Sequence, residues 1–296
     1  MKTKLWLNLS LLALIGVFAL LAAFEPGKKK AETMPLARID AAAVQKIEIS
    51  GKETLNLEKK EGHWFLTAPF QAPANDHRVD LLLKIPATAN SASYPAVASE
   101  LARFGLAPPG TVLRLDGLTL EFGDSDPIQQ RRYVKVGETL HLVEDNFHHH
   151  LTAPATDYVE KKLLPENPDL RKIELPGLIL TREEGGKWRS EPPQDPPGPL
   201  YELVDTWKYA RAFDVKRHEA KDAPPGETVR VTLGQGGPLE FGIVRRAPEL
   251  VLLRADWGLE FHLTEETSKS LLTLKAPEPA AQSTEAAPVA PVPAAR

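Results

Sequence analysis

A chain of 296 residues, 42% hydrophobic and 26% charged, has the length of about two ordinary domains and enough apolar surface for each to bury its own core. A net charge of −4 gives no sign of the basic face that nucleic acid requires, so no nucleic-acid partner is expected. The absence of cysteine excludes disulfides, thiol catalysis, thiolate metal sites and the acylated cysteine of a bacterial lipoprotein.

Met1-Lys2-Thr3-Lys4 precedes an apolar run from Leu5 to Phe24 that is interrupted only by Asn8 and Ser10. About 20 residues suffice to cross a hydrocarbon core of roughly 30 Å as a helix. A cleavable signal has a shorter apolar core, about 7–15 residues, and a small-x-small site that Leu21-Ala22-Ala23 imitates weakly. The run reads as an uncleaved signal anchor, with cleavage as the alternative. Lys2 and Lys4 flank one end and Lys28, Lys29 and Lys30 the other, so the positive-inside rule is nearly balanced. A short arm ahead of a single anchor usually stays in the cytoplasm, which places the body outside. Residues 1–34 are thus expected to be a cytoplasmic arm, a transmembrane helix and a linker.

The body opens with Val44–Ile49, in which Ile47 and Ile49 share one face and Lys46 and Glu48 the other, the pattern of a half-buried strand. Ser50-Gly51 turns into a second strand at Thr54–Glu58, Glu61-Gly62 into a third at His63–Leu66, and Pro69 ends it. Asn75-Asp76 is placed to cap a short helix with the stripe Val79, Leu82 and Leu83, stopped by Pro86. A second small helix is expected over Ala96–Phe104. Pro108-Pro109-Gly110 then feeds a hairpin, Thr111–Leu115 and Leu118–Gly123, turning at Asp116-Gly117. Strands at Arg132–Val136 and Thr139–Val143 follow, then a terminal helix over Glu144–Leu151, and Asp157–Leu164 joins this unit to the next.

The second half repeats the first. Lys172–Leu175 restates the opening strand, Pro176-Gly177 its turn and Leu178–Arg182 the second strand. Gly185-Gly186-Lys187-Trp188 restates Gly62-His63-Trp64, and Pro192 stands for Pro69. A helix is predicted from Pro199 to about Arg211, with Leu200, Leu203, Val204 and Trp207 at i, i+3, i+4, i+7. Pro224-Pro225-Gly226 opens the second hairpin, which returns as Leu239-Glu240-Phe241-Gly242 against the earlier Leu120-Glu121-Phe122-Gly123. Leu250–Leu253, Leu259–Leu263 and a helix over Thr264–Leu272 close it. Chance similarity between strand patterns would not keep a tryptophan, a Pro-Pro-Gly and a Leu-Glu-Phe-Gly in one order, so the chain is a duplication. The fold class is α+β: two tandem repeats, residues 35–164 and 165–275, each a mainly antiparallel sheet with a packed helix. The alanine- and proline-rich residues 276–296 are expected to form a disordered tail.

Candidate chemistry is sparse. Three consecutive residues on a helix point about 100° apart, so His148-His149-His150 would need a distant ligand such as His141 or Asp145 to hold a metal; a polar, exposed turn is expected instead. His141 and His262 take matching positions in this reading, on the strand face opposite Leu140/Leu142 and Phe261/Leu263, and are expected at the surface. Arg114 and Glu121, and Arg230 and Glu240, are expected to pair across their hairpins. Trp64 and Trp188 read as core plugs, and Gly234-Gln235-Gly236-Gly237 as a turn, since no helix follows it. No catalytic, cofactor-binding or metal residue is assigned, no cofactor is expected, and the chain is not expected to be an enzyme.

These landmarks resemble a bacterial family known as a domain of unknown function, the DUF four-three-four-zero family. The resemblance rests on the apolar N-terminus, Lys46–Ile49, Gly62-His63-Trp64, Pro69, Asp76, Phe104-Gly105-Leu106-Ala107-Pro108 and Tyr133-Val134-Lys135-Val136. It implies a single-pass protein of the bacterial inner membrane whose body lies on the periplasmic or extracytoplasmic side. It also implies company with an ABC-type export system of the gliding-motility kind, with a permease or its accessory subunit as the expected protein partner. An accessory or scaffold role is the leading expectation. The alternatives are a metal-dependent envelope hydrolase using His148–His150, or a small-ligand-binding module between the repeats.

Overall fold

The computed structural model describes residues 6, 13–18, 34–195, 197–219 and 224–274. Of the apolar run Leu5–Phe24, Trp6 and residues 13–18 are helical. The rest of that run and the tail 276–296 lie outside the described residues. No helix among the described residues is long and apolar enough to cross a membrane.

The chain divides into two compact units. Unit 1 holds the chain up to Pro69 and Asp76–Ala153, and unit 2 holds Phe70–Asn75 and the chain from Pro154. Residues 154–164, read from the sequence as the end of the first repeat, therefore pack with the second. The bridge between Ala74 and Val159 and the bond from the Asn75 N–H to the Tyr158 carbonyl, 2.7 Å, fix Phe70–Asn75 there.

Unit 1 runs β1 (Lys46–Ser50), β2 (Leu55–Lys60), β3 (His63–Ala68), then, after the two-residue β4 (Ala72–Pro73) in the excluded segment, α1 (Asp76–Leu83), β5 (Asn90–Pro95), β6 (Thr111–Leu115), β7 (Leu118–Ser125), β8 (Arg131–Val136), β9 (Thr139–Glu144) and α2 (His148–Leu151). The sheet strands that belong to unit 1 follow the order β3-β2-β1-β6-β7-β8-β9-β5. Unit 2 runs β10 (Leu170–Leu175), β11 (Leu178–Arg182), β12 (Trp188–Glu191), α3 (Gly198–Tyr209), β13 (Asp214–Arg217), β14 (Glu227–Leu233), β15 (Leu239–Arg245), β16 (Leu250–Arg254), β17 (Leu259–Leu263) and α4 (Glu265–Leu272). Its sheet has the order β12-β11-β10-β14-β15-β16-β17-β13, which matches the first strand for strand. The duplication is therefore a property of the fold as well as of the sequence.

One face of each sheet is the core. Ile47, Leu57, Leu113, Leu120, Phe122 and Val134 fill it in unit 1, and Ile173, Val229, Val231, Phe241, Leu252 and Phe261 in unit 2, all at 1% exposure or less. Val79, Leu82 and Leu83 of α1 and Leu200, Leu203, Val204 and Trp207 of α3 are buried as their spacing predicts. The predicted helix Ala96–Phe104 is instead a 3-10 helix over Ala98–Phe104 with no buried residue. Without an apolar stripe nothing selects the wider α-helical turn. The terminal helix of unit 1 shrinks to the single turn His148–Leu151, whereas α4 begins where expected because the Thr264 hydroxyl accepts from the Thr267 N–H, 3.3 Å.

The opposite face is crossed by the connection from the edge strand to the middle of the sheet. In unit 1 this is residues 96–110, which lie on Gly123: an added Cβ there would overlap the Phe104 carbonyl oxygen and stand 2.9 Å from Leu106 Cγ. In unit 2 the described end of the same connection puts Pro225 over Gly242, where a Cβ would meet the proline ring at 2.6 Å. The glycine of each Leu-Glu-Phe-Gly is the place where a strand admits the crossover that carries its own Pro-Pro-Gly.

Candidate functional site

The edge strands are the first feature that the sequence did not announce. β5 and β13 each close one end of a sheet, pairing only with β9 and β17 among the described strands. Both are short and weakly apolar, so alternation gave them no signal. Large apolar side chains stand exposed beside both: Tyr94 (53%) and Val97 (48%) at β5, and Tyr209 (71%) and Phe213 (53%) at β13. Backbone N–H groups of these strands are taken locally, Asn90 by the Met34 carbonyl, Ala92 by Asn90 Oδ1 and Val215 by Asp214 Oδ1, so what each edge offers a protein partner is its exposed apolar side chains.

The second feature is a polar chain on the outer face of unit 2. Glu260 is 9% exposed and His262 4%. His262 Nδ1 lies 3.1 Å from Glu249 Oε1, its Nε2 3.5 Å from Glu260 Oε2, and Glu260 Oε1 lies 2.7 Å from His218 Nδ1. Arg245 pairs with Glu249 from the exposed side. The hydrogen bond from His262, with the charges of His262, Arg245 and Lys216 behind it, holds the Glu249 carboxyl below its usual range. His262 thus sits between two carboxylates, with Nε2 making no hydrogen bond of good geometry. Glu260 and His262 were legible as one face of one strand; His218 follows the unpredicted β13 and was not.

Unit 1 has no counterpart, which corrects the equivalence read from the sequence. Counted from their hairpin turns, Val136↔Thr139 and Arg254↔Leu259, His141 is the third residue of its strand and His262 the fourth. A one-residue offset reverses the face. His141 therefore points into the core opposite Val134, buried to 8% exposure, with Ser93 Oγ 3.3 Å from Nδ1. Neither histidine is at the surface: His262 is on the outer face, but that face is covered.

The charge pairs are also corrected in one copy. Arg230 faces Glu240 and bonds it at 2.7 Å. In unit 1 the two-residue turn Asp116-Gly117 fixes Leu115↔Leu118, so Arg114 faces Thr119 instead. Arg114 reaches Glu48 of β1 at 2.7 Å, and Glu121 takes Lys135 of β8 at 3.1 Å. Trp64 is a core residue at 3% exposure, whereas Trp188 is only half-buried.

His148–His150 form the turn α2. The His148 N–H donates to Asp145 Oδ1 at 3.2 Å, and the other Asp145 oxygen takes Arg132 Nε at 2.6 Å. Among the described residues no group of three His, Cys, Asp or Glu side chains converges to hold a metal ion. Burial lowers the pKa of His141. It also lowers that of His148, with help from Arg132, and that of His150, with help from His149 and Arg78. A histidine depressed in the folded state binds fewer protons than in the unfolded chain, so stability rises with pH through that window. Unit 1 is expected to be fully stable above about pH 6.5 and to lose stability as the pH falls below it. His141→Gln should shrink the drop in melting temperature between about pH 7 and about pH 5; an unchanged drop would contradict the assignment.

The family model described as a domain of unknown function (DUF4340) matches residues 64–223. Neither the curated proteins nor the solved structures contain a match to the chain.

Proposed function

The chain belongs to the DUF4340 family, and from that premise we propose that it is a membrane-anchored, extracytoplasmic accessory or scaffold protein of an ABC-type transport or envelope complex. The observation that carries this reading is the repeated sheet edge flanked by exposed apolar side chains, β5 with Tyr94 and Val97, and β13 with Tyr209 and Phe213. Two such edges on one chain provide two contact surfaces, as a scaffold needs. The apolar run Leu5–Phe24 supports anchoring in the bacterial inner membrane, and the cysteine-free body is consistent with cores that hold by packing alone on the periplasmic side. An anchor confines the search for a partner to the membrane plane, so a modest edge contact suffices for assembly.

The test is a photo-reactive side chain placed at Tyr94 and at Phe213 in the full chain in native membranes, with Lys187 as the control position. Adducts to an ABC permease or its accessory subunit from the two edge positions, and not from Lys187, are expected. Adducts that are absent from both edges, or equal at all three positions, would sink the scaffold reading.

A further inference from the structure

A pocket of about 270 Å³ opens in unit 1, between the end of α1 and the turn α2. Its walls are chemically one-sided. Lys84, Thr88, Asn146 and His150 supply a positive charge and hydrogen-bonding groups, Ile85 and Phe147 supply apolar surface, and no acidic side chain lines it. We propose that this pocket binds a small organic anion, with an anionic head group on a short apolar body.

The frame is fixed by local structure. Lys84 leaves α1 with its N–H on the Asp80 carbonyl, 3.2 Å. The 3-10 turn Ile85–Ala87 and the bond from the Thr88 N–H to the Ile85 carbonyl, 3.0 Å, shape one wall. Phe147 is 4% exposed and locked edge-on against Phe122 at 5.5 Å, which makes a rigid apolar surface. The His150 N–H donates to the Phe147 carbonyl at 2.9 Å, so the imidazole starts from a held backbone.

The electrostatics favour an anion. Two carboxylates adjoin the lining in sequence: Asp145 is turned to Arg132 and the His148 N–H, and Asp80 is exposed on α1 and does not line the pocket. Arg78 and His149 raise the local positive potential at His150, on top of its burial. A negative head group between Lys84 and His150 offsets that repulsion and gains charge-assisted hydrogen bonds. At roughly 30 Å³ of liquid per water, the volume equals about nine waters. That suits a molecule on the scale of a short-chain acid and not a whole lipid.

The probe is hexanoate, titrated calorimetrically into the full chain, with hexylamine as the charge-reversed arm. One-to-one, saturable binding of hexanoate in the millimolar range or tighter is expected, with none of hexylamine. Lys84→Gln and His150→Gln should each weaken it by about tenfold or more. Lys84 is exposed, so its variant is expected to fold, and a circular dichroism melt confirms it. No saturation by hexanoate, equal binding of hexylamine, or unchanged affinity in both variants would overturn the proposal.

Discussion

Gly123→Ala is expected to destabilise unit 1 by about 3 kcal/mol or more. Its Cβ would fall on the Phe104 carbonyl oxygen and 2.9 Å from Leu106 Cγ, and the crossover has little freedom to retreat. Gly105 caps its 3-10 helix in the left-handed region at φ 68°, with its N–H on the Ala102 carbonyl and the Leu106 N–H on the Leu101 carbonyl. The Phe104 ring lies 4.7 Å from that of Tyr133, and the Gly110 N–H donates to the Phe122 carbonyl at 3.1 Å. Moving the crossover would break contacts at both of its ends. Two other glycines calibrate the result. Gly242→Ala meets the Pro225 ring rather than backbone, so about 1–3 kcal/mol is expected. Gly117→Ala meets nothing within 4 Å and should change stability by about 0.5 kcal/mol or less. Urea unfolding with unchanged m separates the three. If Gly123→Ala behaves like Gly117→Ala, the crossover does not lie on β7.

The two copies share a frame but not their polar interiors. Unit 1 holds Arg132 between Asp145 Oδ2, at 2.6 Å, and the Gly123 carbonyl, at 2.5 Å. Unit 2 uses the Glu249–His262–Glu260–His218 chain. Both lie toward the end of the sheet that β5 or β13 closes. Apolar packing sets the common order of strands, whereas the specific polar groups lie near the edges proposed as contact surfaces. Such differences fit two edges recognising two different surfaces of one complex.

How much of this was readable follows from which signal each element carries. Strands with strict alternation were found within a residue or two, because Ile47/Ile49 and Leu55/Leu57 must share a buried face. α3 was found because Leu200, Leu203, Val204 and Trp207 repeat at helical spacing. β5 (Asn-Ser-Ala-Ser-Tyr-Pro) and β13 (Asp-Val-Lys-Arg) have no such pattern, since an edge strand is not covered as a central one is. Missing them hid the crossovers, and without a crossover the outer face of β17 looked like surface. That is why His262 was expected in solvent. His141 failed for another reason: the local run Leu-His-Leu implied that the leucines face the core, while the register with Val134 shows the histidine doing so. The candidate pocket was foreshadowed only by the histidine run, because its facing residues, Leu81, Lys84, Ile85, Ala87 and Thr88, come from a segment more than 50 residues earlier in the chain.

Trp207→Ala should be the most damaging single change in unit 2, at about 3–5 kcal/mol. The side chain is fully buried, and its ring lies 5.6 Å from Phe241 of the core face. Its Nε1–H donates at 2.9 Å to the carbonyl of Leu271. That carbonyl belongs to the last turn of α4, where no intrahelical partner exists, so one bond ties α3 to α4 and satisfies a helix end. Truncation removes both the packing and the bond; Trp207→Phe keeps most of the packing and should cost only about 1 kcal/mol for the bond beyond any repacking. At about 2–4 °C per kcal/mol for a unit of this size, Trp207→Ala should lower the unit 2 transition by about 10 °C. Hydrogen exchange distinguishes the units, because each has its own core. Protection should fall in β15–β17 and hold in β6–β8 for Trp207→Ala, and the reverse for Gly123→Ala. Loss across both sheets from either change would mean that the two cores unfold as one, and that the duplicated units are not separate in stability.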